Sequence, residues 1–180
     1  MTTPKLATVW FEGCSGCHMS LLDLDEALIG ILSRVELTAT PITDVKNFDF
    51  PRVDLGIVEG AIGNAEHLEV VRRLRRRARL LMALGDCAVF GGINTLRNGI
   101  PVEDVLRYGF VETCSTAGGR IPDDPALPAL LERVLPINRV VAVDIHLPGC
   151  PPAPELIAHA LGEILQGRLP VLGEAMIHYD

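Results

Sequence analysis

The chain opens on a short apolar-rich run, Leu6 to Phe11, of the length and composition of a buried strand. From Ser20 to Leu32, Leu and Ile then recur at helical intervals with carboxylates between them, which predicts one helix. Val35 to Thr40 and Val53 to Val58 are two further β-rich runs, separated by the turn-forming stretch from Pro41 to Pro51. Asn64 is placed to cap a helix running to about Arg77, with Glu66 and Glu69 in its early turns and arginines towards its end, as the macrodipole favours. Leu80 to Leu84 predicts the next strand. Beyond Cys87, the pairs Gly91-Gly92 and Gly118-Gly119, Pro101 and the Pro122 to Pro128 stretch mark loops around short helices. The regular pattern resumes with a helix expected over Ala126 to Leu135, a Val-rich strand over Arg139 to Ile145, and a proline-initiated amphipathic helix over Pro154 to Gln166. Strands alternating with helices in this way imply an α/β fold. The specific expectation is a flavodoxin-like, doubly wound, largely parallel sheet with helices on both faces, formed by residues 1–180 as a single domain.

Composition sharpens this picture. Aromatic residues are only 4 % of the chain while 48 % is hydrophobic, so the core is to be built from Leu, Ile, Val and Ala, the usual filling of a sheet covered by helices. The formal net charge of −7 argues against nucleic acid as a partner. No apolar stretch approaches the roughly 20 residues that span a bilayer, and the start of the chain carries no twin arginine or cleavable signal pattern. No membrane segment is expected, and the expected location is the cytoplasm.

Five cysteines in a chain expected to occupy a reducing compartment point to metal or redox chemistry rather than structural disulfides. Cys14-Ser-Gly-Cys17 follows the first strand and precedes the first helix, whose free N–H groups favour thiolates there. Alone, a Cys-x-x-Cys pair serves equally a thiol-disulfide oxidoreductase, half a zinc site or an iron-sulfur cluster. Cys87 and Cys150 each come directly after a further expected strand, and loops after the C-terminal ends of parallel strands share one sheet edge. One close pair plus two remote cysteines favours an iron-sulfur cluster over zinc. Gly13, Gly16, Gly91, Gly92 and Gly149 allow close backbone approach, and Pro151 and Pro152 stiffen the chain after Cys150.

Taken in order, FEGCSGC, ALGDCAVFGGI and LPGCPPAPELI resemble the small subunit of nickel-iron hydrogenases along nearly the whole chain. The resemblance implies a flavodoxin-like domain in which Cys14, Cys17, Cys87 and Cys150 ligate one proximal [4Fe-4S] cluster. The length, without a second cluster-bearing domain, is most similar to the cytoplasmic, bidirectional NAD-reducing type. That type implies a large-subunit partner carrying the nickel-iron centre, where H2 is activated, and a diaphorase module with its own iron-sulfur clusters and flavin. Electrons would pass singly through this chain between them. The quinone-site subunit of respiratory complex I is also related, but it has adjacent cysteines where this chain separates Cys14 from Cys17.

Several residues carry two readings. Glu12, beside the first cysteine loop, is a candidate to relay protons or to bind a partner's backbone N–H, or else a solvated carboxylate. His18 and His146 lie near expected ligands but are assigned to packing or hydrogen bonding. Cys114 is expected as a small buried hydrophobe. The arginines from Arg72 to Arg79 form either a solvated helix face or a dock for an acidic neighbour. FMN is not expected in this chain, because the cysteine loop stands where a flavodoxin has its phosphate-binding loop.

Overall fold

A computed structural model describes residues 3–173 and 176–177. Its centre is a five-stranded parallel sheet of β1 (Lys5–Trp10), β2 (Glu36–Ala39), β3 (Val53–Glu59), β5 (Ala78–Leu84) and β7 (Ile145–Leu147), in the order β2-β1-β3-β5-β7. Counting only these five, this is the 2-1-3-4-5 order of flavodoxin-like sheets, and it reverses direction between β1 and β3. The expected fold class is therefore the one observed. Because side chains alternate across a strand, Leu6, Ile57, Met82 and Leu84 face one core while Ala7, Val58, Leu81 and Ala83 face another. The first core is closed by α1 (Gly16–Leu22), α2 (Glu26–Leu32) and α6 (Pro154–Leu165), and the second by α3 (Ala65–Arg77) and α4 (Asp86–Phe90). Asn64 caps α3, its side-chain oxygen accepting the His67 N–H at 2.9 Å.

Three expected elements differ. The single helix over Ser20 to Leu32 is two, because Asp25 turns the chain at φ 49°, outside helical space, and α2 restarts after it. The helix expected over Ala126 to Leu135 does not form. Pro128 interrupts its start, and Leu130–Leu135 is instead strand β6, antiparallel to β4 (Ile62–Asn64). Leu, Leu, Val and Leu in that segment fit either period, and the β4 partner decides between them. The Val-rich segment after Arg139 is not a strand until Ile145. Its Val140, Val141 and Val143 pack on the second core as irregular chain following a 3-10 turn, Ile137–Arg139. Asp144 substitutes for ladder pairing there, donating its N–H to Leu81 O (2.9 Å) and accepting the Leu81 N–H (2.7 Å). Past Cys87 the short helices materialise as α4, a 3-10 segment Gly92–Gly99 and α5 (Val102–Phe110).

Candidate functional site

Cys14 and Cys17 follow β1, Cys87 follows β5 in the first turn of α4, and Cys150 follows β7, so all four stand at the C-terminal edge of the parallel sheet. Cys17 is buried, Cys87 half-buried, and Cys14 and Cys150 exposed. Backbone hydrogen bonds lace these turns into one rim. Gly85 N–H donates to Leu147 O (2.8 Å), and Asp86 N–H to Gly149 O (3.0 Å). In return, the Asp86 side chain accepts the Gly149 N–H at 2.7 Å. Ser20 on α1 donates to Pro152 O (2.5 Å), tying the helix that begins with Gly16-Cys17 to the Cys150 turn. Burial pushes the Cys17 thiol up, and negative charge on Glu59, Cys87, Cys14 and Cys150 adds to the effect. Cys87 is raised likewise, by burial first and then by Cys150, Cys14, Glu59 and Asp86.

The rise at Cys17 reverses the expectation that the helix N-terminus would favour its thiolate. Glu59, only 2 % exposed at the end of β3, has taken the donors there. It accepts the N–H of His18 (2.9 Å) and of Cys17 (3.3 Å), and its carboxylate also meets His18 Nδ1. The fully buried His18 ring continues to Thr8 Oγ1 (3.1 Å), which bonds Thr40 Oγ1 (2.8 Å). His18 is thus a hydrogen-bonding residue, as expected, whereas Glu59 was not singled out from the sequence. One signal was available: β3 is an apolar run ending in a carboxylate at the sheet edge where such folds hold ligands.

Space around the sulfurs is kept by glycines. A Cβ on Gly85, whose φ is +83°, would lie 2.2 Å from Cys17 Sγ, and one on Gly92 would lie 2.8 Å from Cys87 Sγ. Neither position can carry a side chain while the thiols stay where they are. Among the described residues, no three His, Cys, Asp or Glu side chains close on a point that would hold a single metal ion. Four thiols from three strand ends on one sheet edge supply the all-cysteine donor set that iron-sulfur clusters use. The donor set and its glycine-lined surroundings therefore suit a [4Fe-4S] cluster, whose iron would replace the protons that burial otherwise holds on Cys17 and Cys87.

Glu12 is not a solvated carboxylate. Its backbone bridges Ala61, Asn94 Nδ2 donates to its carbonyl (2.7 Å), and its Oε2 is buried without a hydrogen-bond partner. Burial raises its carboxyl, against the opposing charge of Arg97. His146 is exposed on β7. Cys114 is exposed, contrary to expectation, and its charge is absent from the groups that act on Cys17 or Cys87. The segment around it, from Val111 to Gly119, is made of turns and irregular chain and is mostly exposed. Large apolar side chains crowd the surface just past Cys87: Phe90 is 56 %, Ile93 73 % and Leu96 75 % exposed.

Residues 14–164 match the family model described as the NADH ubiquinone oxidoreductase 20 Kd subunit. The chain belongs to this family. Relatives matching most of the chain include hydrogenase subunits. The delta subunit of the NAD-reducing hydrogenase HoxS of Cupriavidus necator is 34 % identical over 179 residues, covering 98 % of this chain and 85 % of that one. A subunit of the F420-non-reducing hydrogenase of Methanothermobacter thermautotrophicus is 36 % identical over 167 residues, 91 % of this chain, but only 54 % of the relative's length is spanned. A chain in the crystal structure of an NAD+-reducing [NiFe]-hydrogenase in the H2-reduced state superposes with a TM-score of 0.95 at 42 % identity, over 99 % of this chain and 100 % of that one. By sequence and by fold the chain is of the nickel-iron hydrogenase small-subunit type, as its three cysteine motifs implied. No helix among the described residues is long and apolar enough to cross a membrane.

Proposed function

We propose that this chain is the electron-transfer subunit of a cytoplasmic NAD-reducing nickel-iron hydrogenase, a single domain that holds one [4Fe-4S] cluster through Cys14, Cys17, Cys87 and Cys150. The observation that carries the proposal is the placement of four cysteines, from the ends of three parallel strands, on one sheet edge with glycines keeping space beside Cys17 and Cys87. Such a cluster takes up and releases one electron at a time. Everything else is done by the chain. Hydrogen bonds between the Cys87 and Cys150 turns fix two ligands against each other, and Glu59 fixes the turn carrying Cys17. The buried carboxylate of Glu59 adds negative charge and so disfavours the reduced state. The apolar rim of Phe90, Ile93 and Leu96 supplies a surface for the large subunit, which would carry the nickel-iron centre. Iron-sulfur and flavin diaphorase subunits would exchange the electrons with NAD(H). Glu12, whose Oε2 is buried and unpartnered within the fold, would take up a proton there.

The test is electron paramagnetic resonance of the purified complex under H2. One reducible cluster signal must vanish in the Cys87→Ser complex while the partners' signals remain. Retention of every signal would refute the assignment. A thiol-disulfide oxidoreductase is not favoured, because the relatives that match nearly the whole chain are hydrogenase subunits.

A further inference from the structure

Arg72 apart, the arginines of the Arg72 to Arg79 stretch divide into two groups. Arg73 and Arg75 are paired, with Asp49 (3.2 Å) and Asp144 (2.5 Å) respectively. Arg76, Arg77 and Arg79 instead line a groove of about 310 Å3 together with Arg52. This groove lies at the N-terminal ends of β3 and β5, the sheet edge opposite the cysteines, so the electron path does not use it. Its single acid, Asp54, is already engaged, accepting the Lys5 N–H (2.9 Å) and facing Arg79 Nε (3.6 Å). Among the described residues, no carboxylate pairs with Arg52, Arg76 or Arg77 within 4.0 Å.

A helix C-terminus attracts basic residues, which accounts for Arg76 and Arg77 as a pair. It does not account for Arg52, which arrives from another part of the chain, or for Arg79, which lies in β5. Four exposed arginines from three segments line the groove, and once Arg79 is paired with Asp54 a net positive charge of three is left there without a carboxylate partner. Arg75 ties down the turn between α3 and β5, donating to Ala78 O (2.6 Å) and Arg79 O (3.2 Å).

We propose that this groove binds a diphosphate-bearing small anion. Guanidinium forks match phosphate oxygens bidentately, and the volume is at the lower end of small-molecule sites. A protein dock is disfavoured, because interface cores need aromatic or aliphatic anchors and this groove is lined by Arg52, Val53, Asp54, Arg76, Arg77, Ala78 and Arg79, with Val53 and Ala78 buried. The site stands independently of the cluster assignment.

Isothermal titration of the purified complex with inorganic pyrophosphate, in low-salt phosphate-free buffer, provides the test. One site per chain is expected, weakened about tenfold or more by Arg76→Ala with Arg77→Ala. The control pair Arg133→Ala with Arg139→Ala, equal in charge change, should leave the affinity within about twofold. Circular dichroism and an unchanged melting temperature establish that both variants are folded. ADP binding equally well would mean that the phosphates alone are read, and ADP binding tighter would mean that a nucleoside is read too. Both support the site. No binding, equal loss in both variant pairs, or binding of a hexaglutamate peptide in place of pyrophosphate would overturn it.

Discussion

At residue scale, Glu59 takes up the helix-terminal donors that were expected to stabilise the thiolates. It neutralises the first N–H groups of α1 and leaves Cys17 dependent on metal for its deprotonated form. Glu59→Gln keeps an acceptor in place but removes one buried negative charge. The complex should therefore retain its iron while the midpoint potential rises, by an amount on the order of tens of millivolts in an EPR-monitored redox titration. An unchanged potential would mean that the carboxylate does not act on the cluster. Gly85→Ala should lose the cluster altogether, because its Cβ and Cys17 Sγ would share one space at a backbone φ of +83°. Iron analysis of that variant checks it. Cysteine motifs were legible because thiols are rare and their spacing survives in one dimension. Glu59 was not, because its role comes from burial and from meeting His18, 41 residues away in sequence.

Packing at element scale depends on β3, the strand between the two cores. Gly56 lets the fully buried Leu74 of α3 and Leu81 of β5 close over it, and an added Cβ would stand 3.1 Å from both. Gly56→Ala should cost about 1–3 kcal/mol by overpacking, measured by chemical denaturation. His67, in the first turn of α3, is pushed down to about 4 by burial, with its ring on Phe11. Its folded value lies below its unfolded value of about 6.5, so the unfolded chain binds the proton first. Stability should then be full above about pH 6.5 and fall towards pH 4. Because the ring keeps some contact with solvent, the loss by pH 5 should be on the order of 1 kcal/mol. His67→Gln should flatten that slope in thermal melts taken across the range. Four of the five parallel strands were signalled by apolar runs, whereas the fifth, Ile145–Leu147, shares only Ile145 with the strand expected over Arg139 to Ile145. Elements that failed were those whose period was shared: Leu130–Leu135 reads as helix or strand until β4 supplies a partner.

The whole molecule separates its chemistry by sheet edge, with thiols at the C-terminal ends of the strands and an arginine groove at the N-terminal ends. Apolar side chains past Cys87 are exposed beside the thiol edge, where the proposed large subunit would settle. An assembly of this kind was implied by the motifs, whose order along the chain matches the sheet topology. Which surfaces stay uncovered was not legible, since exposure of Leu96 or Cys114 depends on neighbours distant in sequence. Cys114→Ser should accordingly leave iron content unchanged. The central claim is tested most directly by iron and acid-labile sulfide per chain, on anaerobically purified complex corrected for the partners' clusters. About four of each assigned to this chain, lost in Cys87→Ser and kept in Cys114→Ser, is the predicted result. Zinc in their place, or no iron with a Cys14–Cys17 disulfide, would contradict it.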